Sequence, residues 1–126
     1  MTDINELRRK AQAAREFTVQ AGACSYTLRL PTRHETEVEV LRSRSDGDAA
    51  LPAVLTRRLL EASLVGWSGV THEQLAPGGG SDLAELVPGA AALLLDNDPQ
   101  AAAALLEAFV AKAQERNDRL EAAEKN

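Results

Sequence analysis

Few side chains in this sequence could do chemistry. They are one cysteine (Cys24), two histidines (His34 and His72), a glycine run and a scatter of carboxylates. A metal site needs three or four converging ligands. Each histidine has one glutamate beside it, Glu35 or Glu73, and no HxxxH, HExxH or CxxC spacing occurs. No metal ligand set is expected, and both histidines read as surface residues near helix starts. A nucleophilic cysteine needs a base and a lowered pKa. Nothing in the sequence ties either histidine to Cys24, so packing is the expected role of the thiol.

The run Pro77-Gly78-Gly79-Gly80-Ser81 lacks the lysine followed directly by Ser or Thr that completes a phosphate-binding loop. It reads as a flexible link. Asp96 and Asp98 look like a helix breaker and a cap. Glu107, Glu115, Glu121 and Glu124 read as a solvated helix surface. General acid–base work needs two carboxyls in contrasting environments, and no such pair stands out. The expectation is a chain with no catalytic residue, no cofactor and no metal. Trp67, set between Gly66 and Gly69, is the most conspicuous single residue. Core packing is its first expected role, and an interface anchor its second.

The elements that must position these residues are read from spacing. Asp3 with Glu6 three positions on suits a helix start, and Ile4, Leu7, Ala11 and Ala14 form a thin apolar stripe, giving a short helix within residues 1–15. Phe17, Val19 and Ala21, then Tyr26, Leu28 and Leu30, alternate with polar residues on either side of Gly22, which predicts a β-hairpin closed by Pro31. Residues 32–44 carry two signals. Thr32-Arg33-His34-Glu35 is a capping box, whereas Thr36 to Val40 alternates like a strand. A lone hairpin is marginal, so a third strand here is the preferred reading and 16–44 is taken as the β-rich part.

Asp46-Gly47-Asp48 signals a turn. A helix then runs from near Pro52 towards Gly66, with Leu51, Val54, Leu55, Leu59, Ala62, Leu64 and Val65 on its apolar face. Thr71 to Gln74 opens one short helical turn. A further helix passes through Leu93, Leu94 and Leu95, and a long one follows from Pro99, capped by Asp98, to about Ala123. Its second half, from Gln114, is charged and should project into solvent or await a partner. The expected fold is therefore mostly helical α+β in a single domain over 1–126. A short N-terminal hairpin or three-stranded sheet precedes a helical part over 51–123.

Composition limits the function further. The chain of 126 residues has 44% apolar residues, mostly alanine and leucine, and a net charge of −5. Residues 1–50 balance eight basic against eight acidic side chains, while residues 51–126 carry six basic and eleven acidic. An acidic surface repels phosphate backbones and anionic lipids, so neither nucleic acid nor membrane is an expected partner. The lone cysteine suits a reducing compartment. The first residues lack the apolar run of a secretory signal, and none of the apolar runs is long enough to span a bilayer.

The order of segments adds a resemblance. A leucine-rich helix runs into Gly66-Trp67-Ser68-Gly69-Val70, and a glycine-rich loop leads to Leu86-Val87-Pro88. Leu93-Leu94-Leu95-Asp96-Asn97-Asp98-Pro99 follows, then a long helix ending in Arg116-Asn117 and Glu124-Lys125-Asn126. Together with Leu28-Arg29-Leu30-Pro31-Thr32, this resembles the small tail assembly chaperones of long-tailed bacteriophages and prophages, over most of the chain after Phe17. One departure is that Gly89 and Ala90 stand after the proline where the pattern often has Phe and Ser.

The resemblance implies binding to a long, helical, apolar tape measure protein. Such a chaperone keeps that partner soluble while tail tube subunits polymerise around it. It also implies the cytoplasm of an infected bacterial host, absence from the finished virion, a second link to the tail tube protein, and compatibility with a homo-oligomer. Expected contacts are Leu105, Leu106, Phe109 and Val110, with Leu93 and Leu94 on the preceding helix and Trp67 as an anchor. The same spacing equally suits a monomer core. The alternatives are a minor virion structural protein, such as a head–tail connector or tail completion protein, and a small bacterial enzyme or regulator.

Overall fold

The computed structural model describes residues 3–45 and 52–124. The Asp46-Gly47-Asp48 turn, Leu51, Lys125 and Asn126 lie outside the described residues. Helix α1 (Ile4–Ala14) starts where Asp3 Oδ1 accepts the Asn5 N–H at 3.1 Å. Arg15 alone separates it from strand β1 (Glu16–Ala21), which pairs antiparallel with β2 (Cys24–Arg29). The predicted hairpin is present, with Gly22 at φ +61° in its turn. Its alternation places Phe17, Val19 and Ala21 opposite Leu28, Tyr26 and Cys24 on one face. Polar residues such as Thr18, Ser25 and Thr27 fall on the other.

Residues 33–45 are not the third strand. They form helix α2 (Arg33–Ser45). The capping box outweighs the strand propensity of Val38 and Val40: Thr32 Oγ1 accepts the Glu35 N–H at 3.1 Å, and Glu35 Oε1 accepts the Thr32 N–H at 3.0 Å. Ion pairs Arg33–Glu37 and Arg42–Glu39 add support along the helix. The β-rich part therefore ends before Pro31.

The third strand comes from the end of the helix expected to run towards Gly66, together with the Trp67 segment after it. Helix α3 (Pro52–Ser63) passes without a link into β3 (Leu64–Ser68), which lies antiparallel to β2 and makes the order β1-β2-β3. Ser63 Oγ turns back on Leu59 O at 2.7 Å at the helix end. Leu64 pairs with Leu28 and Gly66 with Thr27, so Val65 is an extra, unpaired residue. This bulge changes the phase of the strand. Leu64 and Trp67 both face the core, and Val65 is exposed.

Helices α4 (His72–Leu75), α5 (Ala90–Asn97) and α6 (Pro99–Glu124) complete the fold. Asp98 caps α6 by accepting the Ala101 N–H at 3.1 Å, as expected. The apolar face of the sheet meets Ala101, Leu105 and Phe109 of α6, with Leu94 and Leu95 of α5 and Leu60 of α3 closing the core. Tyr26, Leu28, Val70, Leu94 and Leu105 are its largest fully buried members. The fold is a mostly helical α+β structure. No helix among the described residues is long and apolar enough to cross a membrane.

Candidate functional site

The chemistry-bearing residues are spread over separate places. His34 lies on exposed α2 beside a pocket shared with Arg15, Glu35 and Glu39. His72 starts α4 at the edge of a hollow lined by Leu83, Val87 and Leu93. Cys24 sits in a third place with Tyr26, Gln74 and Asp98. Among the described residues, no three His, Cys, Asp or Glu side chains gather as a metal site would require.

Cys24 is buried, and its thiol is within donating distance of Gly69 O (3.2 Å) and Gln74 Oε1 (3.4 Å). Gln74 in turn accepts the Thr71 N–H at 3.0 Å and donates from Nε2 to Asp98 Oδ2 at 2.9 Å. The chain of contacts thus joins the hairpin, α4 and the cap of α6. Tyr26 lies within it, fully buried, and its hydroxyl has no hydrogen-bond partner among the described residues. Burial, with Cys24 beside it, pushes the phenol well above its ordinary pKa. This network fixes three elements, with Gln74 standing between the thiol and the Asp98 carboxylate. The thiol meets the Gly69 carbonyl and the Gln74 amide oxygen, with no direct bond to the carboxylate.

The glycine run is tied down, contrary to the flexible link expected of it. The Glu73 carboxylate accepts the Gly78 N–H at 3.0 Å and the Gly80 N–H at 3.2 Å. The Glu73 N–H donates to Gly80 O at 2.8 Å. These backbone donors hold Glu73 below the usual carboxylate range. An N–H cradle suited to an anion is thus filled by the chain's own side chain. Gly79 must be glycine, since a Cβ there would lie 2.5 Å from His72 O. Glu35 is likewise held low, first by the Thr32 N–H and further by Arg15.

The expected partner-contact residues divide. Leu94 and Leu105 are completely buried, and Phe109 is 5% exposed. All three belong to the core and are withdrawn as contacts. The reason is the 4-residue spacing of Ala101, Leu105 and Phe109, which points one stripe of α6 at the sheet. Trp67 is also a packing residue. It lies against the core and donates from Nε1 to Ala84 O at 2.9 Å, fastening the loop before α5 onto β3.

Leu106 (42% exposed), Val110 (51%) and Leu93 (46%) remain open. Leu106 and Val110, with Ala102, form one wall of a groove of about 370 Å³. Ala53, Arg57 and Leu60 of α3 form the other, and Leu95 lies at its base. Arg57 at the rim donates to Asp96 Oδ1 at 2.7 Å and lies 3.8 Å from Glu61. Leu93, Leu83 and Val87 make a second open apolar area around the hollow beside His72. The α3 wall is not legible in the sequence because Ala53, Arg57 and Leu60 all lie off the apolar stripe read from Leu51 to Val65. Leu83 and Val87 are not legible either, because a loop has no periodicity to read.

No protein-family model, curated protein or solved structure matches the chain.

Proposed function

We propose that this chain is a tail assembly chaperone of a long-tailed phage or prophage, which holds apolar helical segments of a tape measure protein while the tail tube assembles. The observation that carries the reading is the α3–α6 groove, with Leu106 and Val110 left open along it. A helix lays its apolar face into such a groove through residues at i, i+3, i+4 and i+7. The order of segments over most of the chain after Phe17, which resembles such chaperones, supports the same reading. The acidic excess of residues 51–126 would keep a chaperone–client assembly dispersed. Many weakly bound copies along one long client would hold it by avidity. The site of action on this reading is the cytoplasm of the infected host.

The test is co-expression with the tape measure protein encoded beside it. The client should become soluble and co-purify. Leu106→Asp with Val110→Asp should abolish rescue while the variant itself stays folded. An insoluble client in the presence of the intact protein would defeat the reading. Mass spectrometry of purified particles separates it from a minor virion part, which would be present in them.

A further inference from the structure

Helix α1 has an apolar stripe with nothing against it. Ile4, Leu7, Ala11 and Ala14 share one side, no residue of the helix is buried, and Ile4 is 65% exposed. No helix or strand among the described residues packs extensively on it. The junction to the body leaves no linker. The Leu30 N–H donates to Arg15 O at 2.9 Å, and Arg15 Nη1 donates to Leu30 O at 2.7 Å and lies 3.2 Å from Glu35. The direction of α1 is therefore set where it leaves the sheet, without a hinge to fold its stripe back onto the same molecule.

We propose that α1 docks in the α3–α6 groove of a second copy of this chain, and that two copies exchange these helices reciprocally. The groove presents an apolar trough, and α1 is an apolar stripe about 16 Å long at 1.5 Å per residue. The charges match. At 100° per residue, Arg8 and Lys10 flank the stripe of α1 on its two sides, Lys10 lying 3.6 Å from Glu6 of the same helix. Glu61 and Asp96 together hold Arg57, the arginine among the described residues lining the groove, so two acids meet one base and the rim keeps a net negative charge, with exposed Glu107 further along α6. A specific interface takes about 1,200–2,000 Å² in total, more than one short helix supplies, which is why the exchange is reciprocal. The client of the proposed function would have to displace α1 from the same groove. That competition rests on the reading above, whereas the exchange does not.

Sedimentation of the full chain without client tests the exchange. The intact protein should form a dimer. Ile4→Asp with Leu7→Asp, and separately Leu106→Asp, should each weaken dimerisation by roughly tenfold or more, with unchanged circular dichroism because these side chains are exposed. Added salt should weaken it too. A mixture of Leu7→Cys and Leu106→Cys chains should cross-link between copies on oxidation. A protein that stays monomeric, an α1 variant that dimerises as tightly as the intact chain, or a mixture that does not cross-link would overturn the proposal. Because no client is present, these outcomes are read independently of client rescue.

Discussion

Arg116 on α6 donates from Nη1 to the carbonyl of Pro31 at 2.7 Å, across 85 positions of sequence. The contact ties the charged half of the last helix to the end of the hairpin, next to Lys112, whose ammonium stands 6.0 Å from the centre of the Phe17 ring. That half was expected to project from about Gln114. It is instead anchored as far as Arg116, and the next turns carry exposed residues such as Leu120. Replacing Arg116 with methionine keeps the stem and removes the bond to a buried residue. The variant should lose roughly 1–3 kcal/mol in urea unfolding, the range for a charge-assisted bond whose partner is left buried. A loss within experimental error would show that the tether contributes nothing.

Tyr26 should govern stability in alkali. Its phenol is pushed above its ordinary value of 10.0 by burial, so the folded state holds its proton more tightly than the unfolded chain. The contribution is whole below pH 10 and is lost as pH rises above it, by ~1.4 kcal/mol per pH unit from this one group. Urea unfolding of the intact protein should show this slope, and Tyr26→Phe should lack it. At neutral pH the same substitution removes an unpartnered hydroxyl and should leave stability equal or higher.

The Glu73 clasp is testable at acid pH. Its carboxyl is held below 4.5 by the Gly78 and Gly80 N–H groups, so the loop contacts persist above that pH and are released as pH falls through the lowered value. The amide shifts of Gly78 and Gly80 in NMR spectra should titrate together in this acid range, and should not do so in Glu73→Ala. A midpoint at or above 4.5 would mean that the carboxylate does not hold the loop.

Leu105 and Leu106 are neighbours with opposite duties. Leu105→Ala opens the core and should cost about 2–5 kcal/mol. Leu106→Ala should stay within about 1 kcal/mol yet reduce co-purification of an apolar helical partner. Equal effects on stability would contradict the placing of Leu106 on the surface.

Thr32 decides the fate of residues 33–45. Thr32→Ala removes the side chain that receives the Glu35 N–H, and should lower stability by about 1 kcal/mol with a matching fall in helical signal. No change would mean that the ion pairs alone suffice for α2.

Local patterns of side chains already specify much of this protein. The alternation over Phe17–Arg29 compels a hairpin, because a period of two can bury only one face. Asp3 and Asp98 mark helix starts, because a short carboxylate at that position answers an otherwise unpaired N–H. The capping box at Thr32 is equally legible, and its two reciprocal hydrogen bonds outweigh the strand propensity of two valines. The third strand was not readable. Leu64 and Val65 continue a helical stripe seamlessly, and only pairing with β2, through a bulge at Val65, makes them extended. The division of the last helix into core and open sides belongs to the same class. Leucine beside leucine looks identical in one dimension. Which one is hidden depends on where the sheet lies, and strands from residues 16–29 and 64–68 build that sheet far from α6 in the chain.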